Sequence, residues 1–207
     1  MDVELWADPA CAWSWAAYLW LDSVASDKDL TITIHPFSLE IRGRWRGGEV
    51  SPLLSAARAG SLRVLRVATR IEDGRTAFFA AATRPSWNAI AAGGAPSFDI
   101  EAGLRAAGLP EKLASCADDD SLDAEIEHSM RSVGALLDTD PAHQRIPVTV
   151  FGLDGSRRGL VGPLLDPVPD RAMAMRLWDA VITLASEPCF REFSQPVARH
   201  SLTFPAH

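Results

Sequence analysis

The chain has 207 residues, of which 47% are hydrophobic and 23% charged, with a formal net charge of −7. That length and apolar content suit one domain, or one domain carrying a large insertion, and exclude wholesale disorder. Net acidity gives no general attraction to nucleic acid or anionic lipid, so neither is an expected partner.

A secretory leader needs a basic start followed by an apolar stretch. Here Asp2 and Glu4 open the chain, and the first basic residue is Lys28. The longest nearly apolar run, Ala10 to Leu21, falls short of the ~20 residues that span a bilayer. Cys11, Cys116 and Cys189 are widely spaced and odd in number, which makes no disulfide framework. A reducing, cytoplasmic location is expected.

In chain order, Val3 to Trp6 reads as a buried strand broken by Asp8-Pro9. Trp13, Ala16, Ala17, Trp20 and Val24 recur at the helical period and predict a helix from Cys11 to Ala25, with Asp8 and Pro9 as start signals. Leu30 to His35 alternates, is rich in β-branched residues and stops at Pro36, the pattern of a second strand. Such a β-α-β unit makes a parallel pair. Arg42 to Gly48 follows as a basic loop. Helical windows then succeed one another at Pro52–Ala59, Leu62–Ile71, Thr76–Ala82, Ile100–Ala107, Pro110–Cys116 and Leu122–Leu137. Gly60, Gly74, Pro85, the Gly93-Gly94-Ala95-Pro96 run and Gly108 punctuate them, with Asp99 and Ser121 as helix caps. Val148 to Phe151, an Asp154-Gly155 turn and Gly159 to Gly162 predict a hairpin. A last helix covers Asp170 to Ser186, with Met173, Leu177, Val181 and Leu184 on its apolar stripe, before an irregular tail containing Pro188, Pro196 and Pro205. The order β-α-β, helices, β-β-α is that of an α/β thioredoxin-like fold with an all-helical insertion. Its expected divisions are 1–48 plus 140–207 for the thioredoxin-like part and 49–139 for the insertion.

Cys11 is the first candidate for chemistry. A thiol at a helix N-terminus faces unpaired backbone N–H groups and the positive end of the dipole, and both favour thiolate. The competing reading is a small buried hydrophobe among tryptophans. Ser14 stands where a C-x-x-C redox motif carries its resolving thiol. A hydroxyl cannot form a disulfide, so Cys11 has no resolving partner in its own motif. Ser14 retains two roles, a hydrogen-bond donor to the thiolate or a helix-start residue. Pro147, after Ile146, occupies the place of the cis-proline that lies beside the reactive cysteine of thioredoxin-like folds and leaves backbone groups free for substrate. Trp13 and Trp15 flank the cysteine, either as candidate walls of an apolar substrate pocket or as core packing. Arg42, Arg44 and Arg46 read either as a solvated basic loop or as residues that meet an anionic or sugar-bearing thiol. The histidines are scattered, and no metal site is expected.

The octet Asp8-Pro9-Ala10-Cys11-Ala12-Trp13-Ser14-Trp15 resembles the D-P-x-C-P-W-C-W signature of DsbA-like proteins of actinobacteria. Within that group it is most similar to the mycothiol-dependent nitroreductase family. The similarity continues through Phe37-Ser38-Leu39, Gly108-Leu109-Pro110, Ile146-Pro147-Val148, Gly162-Pro163, Leu177-Trp178-Asp179-Ala180 and Leu184-Ala185-Ser186. The resemblance implies a cytoplasmic oxidoreductase, often a homodimer, whose cysteine takes electrons from mycothiol; by position Cys11 is that nucleophile and Pro147 the cis-proline. Ala12 and Ser14 depart from the signature, which makes a monothiol enzyme the expected form. Mycothiol or glutathione would serve as cosubstrate, with a mixed disulfide or other small molecule as substrate. Two alternatives stay open: a transferase or isomerase like the kappa-class glutathione transferases, and a redox-inactive binding module.

Overall fold

A computed structural model describes residues 1–191 of the chain. Strand β1 (Asp2–Ala7), helix α1 (Ala12–Lys28) and strand β2 (Thr31–Pro36) form the expected first unit. The two strands pair in parallel, from Asp2 opposite Thr31 to Ala7 opposite Pro36. Strand alternation sends Val3, Leu5 and Ala7 to one face of the sheet, where they join a core with Trp20 and Leu21 of α1. Trp6 points to the other face, into a second core with Cys11, Phe37 and Leu62.

The segment that follows differs from its expected form in several places. The basic stretch is a helix, α2 (Leu39–Arg46), rather than a loop. The Ser38 side chain caps it by accepting from the Ile41 N–H, Glu40 lies in its first turn, and Arg44 and Arg46 lie in its last. Each of those charges complements the helix dipole, which the loop reading overlooked. Helix α3 (Pro52–Thr69) runs straight through Gly60. A Cβ there would stand 3.0 Å from the Phe98 ring, so this glycine serves close packing and does not break the helix. Helix α4 (Arg75–Ala91) likewise continues through Pro85. Helix α5 (Ile100–Ala106) is capped by Asp99 as expected. Glu111–Asp118 and Asp120–Leu122 are tighter 3-10 turns, and α6 covers Asp123–Leu137. Ser121 does not cap α6; its N–H and hydroxyl are donated to the Asp119 side chain.

Strands β3 (Val148–Leu153) and β4 (Ser156–Val161) make the expected hairpin. Its turn places Asp154 and Gly155 at φ 47° and 76°, a conformation that an Asp-Gly pair adopts at low cost. Strand β3 lies antiparallel to β1, which gives the sheet order β2-β1-β3-β4. Helix α7 (Arg171–Ser186) is capped by Asp170. Its buried face is Ala174, Trp178 and Ala185, not the stripe that starts at Met173, a residue left 45% exposed. Trp178 packs on Trp20 and Phe151, and one large ring there outweighs several aliphatic side chains. The architecture is a thioredoxin-like α/β fold with α2 to α6 between β2 and β3. No helix among the described residues is long and apolar enough to cross a membrane. Pro188 lies just beyond α7, whereas Pro196 and Pro205 fall outside the described residues.

Candidate active site

Cys11 occupies the N-cap of α1 with extended backbone. Its N–H donates to the Asp8 carbonyl at 2.9 Å, and its own carbonyl accepts from the Trp15 N–H at 3.0 Å. The turn that delivers it is held from below by Trp87, whose Nε1 donates to the Pro9 carbonyl at 3.0 Å. The Ser14 side chain is fully buried one turn on, and its Oγ accepts weakly from the Asp8 N–H at 3.4 Å. Its hydroxyl and backbone N–H, together with the Trp13 N–H, favour the ionised form of the Cys11 sulfur, although the Cys11 side chain makes no cap hydrogen bond to α1.

The electrostatic balance differs from the one expected for a helix N-terminus. Cys11 is only 8% exposed. Burial pushes its thiol above the ordinary range and outweighs the donors from Ser14 and Trp13 that pull it down; the nearby Asp8 carboxyl raises it further. Backbone amides alone do not hold the sulfur ionised, because removing a thiolate from water costs more than those donors return. The other reading of Cys11, a small apolar residue in a core, also describes part of what is seen. Cys11, Ile146 and Leu39 belong to one apolar cluster, with Trp13 packed against its edge. The Ile146–Pro147 bond is cis. The Pro147 carbonyl accepts from the Gly162 N–H at 2.8 Å and so is not available to substrate, while the Ile146 main chain makes no hydrogen bond among the described residues.

The two tryptophans part company. Trp13 is partly exposed beside Cys11. Trp15 is 2% exposed in the opposite core, stacked on Tyr18 and covered by Arg84, so it is no pocket wall. Residues two apart on a helix face different ways, which the sequence order conceals. Cys116 packs with the helical cluster around Val64 and Leu104, and Cys189 is exposed past the end of α7 rather than on a helix. All three cysteines are free.

Asp8, read from sequence only as a helix-start signal, is central. It is fully buried, and its carboxylate accepts from the Leu39 N–H at 2.6 Å, the Ala10 N–H at 2.7 Å and the Ser61 hydroxyl. One side chain thus ties the cysteine turn to α2 and α3. Burial raises its pKa against those donors and the pull of the Arg42 charge. Arg42 donates to the Gln144 carbonyl at 2.7 Å, and its charge also acts on Cys11. Arg44 faces elsewhere, paired with Glu40 at 3.4 Å and Asp123 at 3.0 Å. The signal for Asp8 was available: an acid followed by proline, three residues before the thiol.

The family model Rv2466c-like, described as mycothiol-dependent nitroreductase Rv2466c, matches residues 10–195. Among solved structures, a candidate protein disulfide isomerase from Nitrosomonas europaea superposes with a TM-score of 0.53 at 13% identity, over 87% of this chain and 98% of that one. A 2-hydroxychromene-2-carboxylate isomerase gives 0.51 at 13% identity, covering 89% and 96%. The cytosolic disulfide reductase DsbM of Pseudomonas aeruginosa, solved with GSH, gives 0.50 at 15% identity, covering 89% and 100%. At these identities the structural likeness concerns the fold.

Proposed function

The chain belongs to the mycothiol-dependent nitroreductase family, a family of thiol-dependent enzymes, and from that premise we propose a cytoplasmic monothiol oxidoreductase with Cys11 as its nucleophile. The observation that carries the reading is the position of Cys11 at the α1 N-cap, in one cluster with Ile146, where Ser14 and Trp13 favour its ionised form. The thiol rests protonated, because burial dominates. Ser14 and Trp13 favour the thiolate once it forms. Cys11 thiolate attacks one sulfur of a substrate disulfide, forming a mixed disulfide and expelling the other half as a thiolate. A small thiol, mycothiol or glutathione, then attacks the substrate-derived sulfur of that adduct. Cys11 leaves as thiolate, and the small thiol departs joined to the substrate fragment. Trp13 and Ile146 border the entering group, and Pro147 shapes the loop beside it.

Ser14 fixes the monothiol character, since no second sulfur lies in the motif. The kappa-class-like alternative needs a hydroxyl that reaches an external thiol. Ser14 is 0% exposed, which weighs against that alternative. Cys11→Ser separates the readings: thiol–disulfide exchange is abolished if Cys11 is the nucleophile. Retained conjugation or isomerisation in that variant would favour the transferase reading. Exchange that is absent from the wild-type chain as well would leave a redox-inactive binding module.

A further inference from the structure

Beside the cysteine turn, the last turn of α2 and the start of α3 enclose a cavity of about 190 Å³. Its charged lining is Arg42, Arg46 and Arg58, opposed by Glu49 alone. None of the three arginines makes an ion pair with a carboxylate among the described residues. Arg58 has a buried Nε with no hydrogen-bond partner. Its guanidinium lies against Gly43, where an added Cβ would come within 3.4 Å of Nη1, so the bare glycine makes room for it. Arg42 links this cavity to the site: its charge acts on both Cys11 and Asp8, and Leu39, which also lines the cavity, donates its N–H to Asp8. Exposed Trp45, Val50, Leu53 and Leu54 surround the same segment with apolar surface.

Three cations gathered against one acid, in a chain whose net charge is −7, amount to a local field opposite in sign to that of the whole protein. We infer that the Arg42-Arg46-Arg58 cavity is an anion subsite that seats the carboxylate of a small apolar disulfide while its sulfur meets Cys11. Guanidinium forks suit a carboxylate by shape as well as charge. The inference rests on Cys11 being the nucleophile, and it adds the substrate class: a carboxylate-bearing, ring- or chain-containing disulfide. Cys11 thiolate displaces one carboxylate-bearing thiolate and keeps the other half as a mixed disulfide, with no other reactant needed.

The test compares two aromatic disulfides, dianionic 5,5′-dithiobis(2-nitrobenzoate) and neutral 2,2′-dithiodipyridine. They react with the full chain carrying Cys116→Ser and Cys189→Ser, so that Cys11 is the sole thiol. The readout is the ratio of the two second-order rate constants. Arg46→Gln and Arg58→Gln are each expected to lower that ratio about tenfold, the scale of one charge-assisted hydrogen bond at ~1.4 kcal/mol. Arg58→Lys should lose less than Arg58→Gln. A variant-free measurement stands beside it. Raising ionic strength from ~0.01 M to ~1 M shrinks the screening length from about 30 Å to about 3 Å. A local cationic site makes the ratio fall with salt, whereas the −7 net charge acting alone makes it rise. A ratio that rises with salt, or that neither glutamine variant changes, overturns the anion subsite and leaves Cys11 as nucleophile. Failure of Cys11 to react with either disulfide overturns both.

Discussion

Replacing Ser14 by alanine removes the hydroxyl that favours the Cys11 thiolate while leaving the Ser14 and Trp13 N–H groups in place. A hydrogen bond to a charged group is worth about 1.5–3 kcal/mol. Spent on the thiolate, it corresponds to about one to two decades in thiolate population at fixed pH. The sign is unambiguous: the donor favours the charged form, so its loss pushes an already raised thiol further up. Below the thiol pKa the variant holds less thiolate. A more basic thiolate is also a better nucleophile, and a Brønsted coefficient of about 0.4–0.5 returns nearly half of the loss in logarithmic terms. The net expectation is a reaction with neutral 2,2′-dithiodipyridine that is about four- to twentyfold slower near neutrality. At pH above both thiol pKa values the variant becomes the faster of the two. Stability should move little, because the bond lost to the Asp8 N–H is long at 3.4 Å. Stopped-flow rates across pH, with urea melts as control, read both effects. Superimposable pH–rate profiles for wild type and Ser14→Ala would refute the reasoning.

Other expectations follow from the same contacts. Asp8→Asn keeps one acceptor oxygen and turns the other into a donor facing an N–H, so urea unfolding near pH 4 should show a loss of about 1–3 kcal/mol. Because burial raises the Asp8 pKa from 3.8, the folded state binds that proton more tightly than the unfolded chain. Stability supplied by protonated Asp8 is full below pH 3.8 and is lost as pH rises through the raised folded value, so the gap between wild type and Asp8→Asn should narrow on that side. Trp15→Ala should cost about 3–5 kcal/mol of stability for a ring buried at 2% exposure. Trp13→Ala should spare stability by comparison and alter exchange rates instead. Gly103→Ala would press a Cβ to 2.9 Å from the Ala82 Cβ where α5 crosses α4, and a loss of about 1–3 kcal/mol in urea unfolding is expected.

Periodicity made the sheet legible. Alternation around Ile32 and Ile34, and again around Val148 and Val150, marks β2 and β3, and Asp154-Gly155 marks the turn from β3 to β4. Gly60 misled, because a glycine selected for contact with Phe98 looks in sequence like one selected for a turn. The basic run at Arg42 to Arg46 misled too; its capping signal lies upstream in Ser38 and Glu40. At the site, the motif position of Cys11 and the cis bond before Pro147 could be anticipated from local order. The cost of burying Cys11 could not, because it arises from side chains distant in sequence such as Leu39, Leu62 and Ile146. For the same reason the joint role of Asp8, Ser61 and Leu39 emerges only when α2 and α3 fold over the cysteine turn.

Intact-mass and peptide mass analysis of the wild-type chain after incubation with oxidised mycothiol, and separately with oxidised glutathione, tests the central claim most directly. The account predicts one thiol adduct on Cys11, slow near neutrality, accelerating as pH rises, and reversed by excess reduced thiol with release of a new disulfide. Adducts confined to the exposed Cys189 or to Cys116, with Cys11 unmodified at every pH at which the chain stays folded, would contradict it.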